Sequence, residues 1–107
     1  MKEQEFWIVE MEPELKPLLP SFIKNRRQDL SKLRCWIENN NFEDIQRLGH
    51  SLQGAAGSFG FNYLVSQGRE LELAAQQKDL QNLKVVADRF ENFMSHHRVC
   101  FIPTDRY

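Results

Sequence analysis

The stretch His50-Ser51-Leu52-Gln53-Gly54-Ala55-Ala56-Gly57-Ser58-Phe59-Gly60 joins a helical apolar rhythm to a histidine beside residues with little side-chain bulk. At about 100° per residue, Ile45, Leu48, Leu52, Ala55 and Phe59 fall on one side of a helix. His50 sits nearly opposite, with Glu43, Gln46, Gln53, Gly54 and Gly57. The imidazole therefore points away from the core stripe. A helical glycine costs about 0.8–1 kcal/mol relative to alanine, so two glycines on the histidine's own face call for a reason. Side chains at i+4 and i+7 would stand beside the ring; without them, another protein's surface can approach it. A solvated helix histidine beside glycines that permit close packing within the molecule satisfies the same spacing.

The residues add to the spacing. His50-x-Leu52-x-Gly54-Ala55-Ala56-x-x-Phe59-Gly60 resembles the signature of histidine-containing phosphotransfer (HPt) domains, the His-to-Asp relay modules of two-component signalling. That pattern runs His-x-Leu-Lys-Gly, then small residues, then an apolar residue and Gly. This chain has Gln53 where the family most often has Lys. The resemblance extends over the helical layout from about Leu18 to Phe101. It implies that His50 accepts a phosphoryl group from a receiver-domain aspartate and passes it to another receiver. Helix geometry places Gln53, Gly54 and Arg47 where they would support the phosphoryl group, and Glu43, Gln46 and Gly57 where they would help dock the partner. The implied partners are the receiver domain of a response regulator, of a hybrid sensor histidine kinase, or of both. Mg²⁺ belongs to the receiver, and the chain itself needs no cofactor.

The whole composition agrees with a small helical domain. The 107 residues suffice for one core, with no room for a second catalytic domain. A formal charge of −1 and a pI near 6.3 give no electrostatic grip on nucleic acid. No apolar run approaches the roughly 20 residues of a membrane span, and Met1-Lys2-Glu3-Gln4-Glu5 is not a signal peptide. The expected location is cytoplasmic. Met1 and the self-contained helical pattern favour a free-standing domain over residues 1–107, with its core at about 18–101.

Along the chain, Phe6, Trp7, Ile8 and Met11 form a short apolar patch, too brief for an isolated helix, expected to lie across one end of the fold. Pro17 and Pro20 sit near the start of a first long helix, where missing donors are tolerated. Leu19, Ile23, Arg26, Leu30, Leu33 and Ile37 then alternate steps of four and three, widened by Phe22 and Trp36. The stem of Arg26 can cover the core edge. Asn39-Asn40-Asn41 ends this helix, and Asn41 with Asp44 begins the next. That histidine helix is expected from Phe42 to about Gly57, with Gly60 and Asn62 turning the chain. Phe61, Leu64, Gly68, Leu71 and Ala75 give a third stripe, Gly68 marking a close crossing. After an N-cap at Asp79, Leu80, Leu83, Val86, Ala87, Phe90, Phe93, Met94 and His97 give the fourth. Short loops make this an all-α, antiparallel up-down-up-down four-helix bundle. No alternating strand pattern competes, and the tail Pro103-Thr104-Asp105-Arg106-Tyr107 is expected to fray.

Other chemistry finds little support. There is no Walker-type glycine loop, kinase signature or dinucleotide fingerprint, so the chain has no ATP site of its own. Ser51 and Ser58 lie about 80–100° around the helix from His50, a poor arrangement for Ser-His catalysis. Cys35 and Cys100 form no CxxC spacing and read as small apolar residues in a reducing compartment. His96, His97 and Cys100 could converge by i+3 and i+4 helical spacing, but offer three ligands at most, and adjacent histidines diverge; no metal site is expected. A phosphoryl carrier needs only an exposed imidazole that is partly neutral at cellular pH. Arg47, at i−3, could offset phosphoryl charge in place of the missing Lys; pairing with Glu43 is the simpler role. The alternative to a carrier is a docking or adaptor module in which the imidazole is only a contact.

Overall fold

The computed structural model describes residues 6–103. Of the expected frayed tail, 104–107 lie outside the described residues. Strand β1 (Trp7–Met11) and a 3₁₀ helix (Pro13–Leu18) lead into α1 (Leu19–Glu38), α2 (Phe42–Phe59), α3 (Asn62–Gln76), α4 (Leu80–His96) and strand β2 (His97–Phe101). Each helix packs on the next, and α4 returns to α1, so the four close a ring around one core. The tightest pairing is α2 with α3. The bundle expected from the four apolar stripes is present, with Leu33, Ile45, Leu52, Leu64, Leu71, Leu83, Val86 and Phe90 sealed inside.

Local chemistry fixes the helix ends. Pro20 sits in the first turn of α1, where its lack of an N–H costs nothing. Asn40 takes φ 57° after α1, a left-handed conformation asparagine tolerates. Asn41 precedes α2 but its side chain caps nothing; its partner in the expected start, Asp44, instead accepts from Arg47. Asp79 does cap α4, accepting from the Asn82 amide at 3.1 Å. Helix α2 runs two residues past Gly57, to Phe59, and Gly60 ends it at φ 82°, a backbone that favours glycine.

The ends of the chain correct the sequence expectation. Trp7–Met11 is a strand, and residues 97–101 do not continue α4. The two pair in parallel, Trp7 with His97 through Met11 with Phe101, and the Ile102 amide extends the ladder to the Met11 carbonyl at 2.9 Å. The expectation that no strands compete was therefore wrong for ten residues. Burial explains the choice: Val9 and Met11 point inward while Ile8 and Glu10 face solvent, the period of two that a strand supplies. Trp7 lies 5.2 Å from the Tyr63 ring and 5.5 Å from Phe93. His97, assigned by periodicity to the fourth helical stripe, has extended backbone yet still stacks on Phe93 at 5.2 Å.

Candidate functional site

Helices α2 and α3 touch through backbone. A Cβ built on Gly49 would meet the Gly68 carbonyl oxygen at 2.6 Å and the Glu72 nitrogen at 2.7 Å; one on Gly68 would meet the Gly49 oxygen at 2.8 Å. These two glycines let the helices approach where any side chain would hold them apart. Gly68 had been expected at a close crossing; its partner Gly49 had not been recognised.

That crossing positions the histidine. His50 follows Gly49, and its side chain is 80% exposed. Its Nδ1 lies 3.3 Å from Oε2 of Glu72, a residue one helical turn beyond Gly68 whose side chain is only 27% exposed. The other oxygen of the same carboxylate accepts from the Gln53 amide at 2.8 Å. Gln53 also donates to the Gly49 carbonyl at 3.2 Å, and its stem packs over Gly68. Glu72 thus joins His50 and Gln53. Sequence reasoning missed Glu72, because its place depends on how α2 registers against α3; the pair Gly49 and Gly68 was the signal that could have found it.

The other proposed site residues divide. Glu43, Gln46, Arg47 and His50 line one shallow depression with Glu72. Arg47 is engaged by two acids, Asp44 at 3.3 Å and Glu43 at 3.6 Å, the pairing that i+4 spacing suggested. Gly54 and Gly57 lie outside this depression. A Cβ at Gly54 would meet nothing within 4 Å, and one at Gly57 only a Val65 methyl at 3.8 Å, so among the described residues that face is left largely open.

The remaining polar candidates point elsewhere. The Ser58 hydroxyl donates to the Gly54 carbonyl at 3.1 Å, within its own helix. His96 and His97 place Nδ1 near the Asn92 and Phe93 carbonyls, at 2.9 and 3.2 Å. Cys100 lies on β2, so the helical spacing that would have gathered the three does not exist. Among the described residues no group of three or more His, Cys, Asp or Glu is arranged to hold a metal. No described helix is long and apolar enough to cross a membrane.

The site is thus an exposed imidazole with one nitrogen against a carboxylate, on a helix whose outer face also carries Gly54 and Gly57. Residues 17–98 match the family model of the Hpt domain. The chain belongs to the Hpt domain family. No curated protein and no solved structure gave a significant match. Hpt domains serve histidine phosphotransfer in phosphorelays, as phosphocarriers without an ATP site, and they interact with receiver domains. The matched span takes in all four helices up to His96 and leaves out β1.

Proposed function

We propose that this Hpt domain carries phosphate on Nε2 of His50, taking it from a receiver aspartate and giving it to another. The observation that supports this reading most is the contact between Nδ1 of His50 and Glu72. With Nδ1 carrying the proton and turned to Glu72, Nε2 keeps its lone pair and faces outward. It attacks phosphorus in line as the bond to the aspartyl oxygen breaks, and the electron pair leaves with the carboxylate. The ring becomes a phosphoimidazolium, and the Glu72 carboxylate offsets its positive charge. No proton has to move during the transfer. Catalysis by the Hpt domain is then positioning, while Mg²⁺ bound by the receiver handles the charge on the phosphoryl oxygens.

The open surface at Gly54 and Gly57 suits the approach of a receiver loop, with Glu43 and Gln46 lining the depression beside His50 on the same helix. Intact mass and acid lability, measured after mixing with a panel of phosphorylated receiver domains and Mg²⁺, test the reading. The expected product is one phosphoryl group, labile in acid, stable in alkali and missing from His50→Ala. Receivers that bind without transferring would make the chain a docking module instead.

A further inference from the structure

The phosphoryl group brings about −1.5 to −2 charges to a site, and the residues nearest His50 do not offset them. Gln53 has no charge, and its amide is held by Glu72 and the Gly49 carbonyl. Arg47 is paired with Glu43 and Asp44. Glu72 adds a negative charge of its own.

One cation is left. Because α2 and α3 run antiparallel, the residue after each crossing glycine turns about 100° toward the same side of the seam. His50 is that residue on α2 and Arg69 is that residue on α3. The contacts already described verify the side: Gln53 and Glu72, each four residues beyond its glycine, meet there. The levels match too. Gly49 abuts the Glu72 nitrogen, and Gly68 the Gln53 nitrogen at 3.2 Å from its Cβ position, so His50 and Arg69 differ by about one residue rise of 1.5 Å along the helices. Arg69 is exposed, and no carboxylate of the described residues pairs with it. On α3 and α4 the acids are occupied otherwise: Glu70 holds Arg89 at 3.5 Å, Glu72 holds His50 and Gln53, and Asp88 and Glu91 hold Arg34.

The geometry points to Arg69 as the cation that clamps the phosphoryl group on His50, doing from α3 what the Hpt lysine would do from position 53. This rests on the proposed carrier role of His50. The guanidinium donates to the phosphoryl oxygens across the seam, over a floor formed by Glu72 and Gln53. The two charges have separate duties: Glu72 serves the ring, Arg69 the phosphate.

Phosphoramidate loads the site without any receiver. Nε2 attacks phosphorus, the P–N bond breaks, and its electron pair leaves with nitrogen as ammonia; nothing is oxidised or reduced. The experiment compares the wild type with Arg69→Gln, Arg69→Lys and Arg89→Gln, the last as a charge-matched control. Intact mass gives the ratio of loaded to unloaded protein at fixed phosphoramidate and ammonium, and ³¹P NMR gives the titration of the phosphoryl group. Arg69→Gln is expected to lower that ratio about fivefold, the scale of one solvent-exposed ion pair, and to raise the apparent pKa of the phosphorus titration. Arg69→Lys keeps both near wild type, and Arg89→Gln changes neither. If the wild type loads at His50 and Arg69→Gln matches it in both readings, the clamp is wrong and the carrier stands. If His50 in folded wild type takes no phosphate, the carrier reading falls and the clamp with it.

Discussion

The five glycines show how one residue type serves unrelated ends. Gly49 and Gly68 are needed inside, because a Cβ at either would press into the opposite backbone below 3 Å. Gly54 sits in the same helix as Gly49 with open space where its Cβ would stand. Alanine should therefore act oppositely at the two sites in α2. Gly49→Ala is expected to destabilise by about 1–3 kcal/mol, the cost of overpacking, and to part His50 from Glu72. Gly54→Ala is expected to stabilise by up to about 1 kcal/mol from helix propensity alone. Urea unfolding of both variants measures the contrast; equal effects of the same sign would mean that the crossing is not as close as described. At this scale the sequence was half legible. The glycines on the outer face announced themselves by standing opposite Leu48 and Leu52, whereas Gly49 is disclosed only by what lies across from it.

Helix α1 carries a second departure from simple patterning, because Arg26 occupies a turn that would otherwise be apolar. Its guanidinium lies over the Phe22 ring at 4.8 Å and pairs with Asp29 at 2.8 Å. Burial pushes the Asp29 carboxyl above its ordinary value, and the opposing pull of Arg26 does not cancel it. A carboxyl raised in the folded state binds its proton more readily there than in the unfolded chain. Its contribution to stability is present below the ordinary aspartate range and is lost as pH rises through the folded value. The stability of the wild type relative to Asp29→Asn should thus improve on acidification from pH 7 to about pH 4. Chemical denaturation at the two pH values checks the sign; a difference that moves the other way would show that the pair with Arg26 outweighs burial. The apolar positions of all four helices could be read from steps of three and four, since each helix meets the core along one face. Strands β1 and β2 could not, because five residues of alternation gain meaning only from a partner about ninety positions away, and Trp7 and Met11 looked equally suited to capping a bundle.

For the whole molecule, that sheet joins residues 7–11 to residues 97–101 on a bundle whose proposed reactive side is the seam between α2 and α3. Strand β1 buries Val9 and Met11, rests Trp7 on Tyr63 and Phe93, and pairs along β2. None of its residues lines the depression around His50, and β1 lies before the span that matches the Hpt domain. Stability and the proposed chemistry should therefore be separable. Deleting residues 1–11 should remove about 1.5–3 kcal/mol for each fully buried side chain lost, while β2 loses its only partner among the described residues. For a chain near 100 residues a loss of 1 kcal/mol lowers Tm by roughly 4–8 °C, so the truncated protein should melt well below the full one. At a temperature where both are folded, phosphoramidate should load His50 to the same extent in each. A truncated protein that melts like the full chain would show that the sheet contributes nothing to the bundle. One that stays folded but loads poorly would show that the sheet reaches the site through α3, on which Tyr63 and Glu72 both reside.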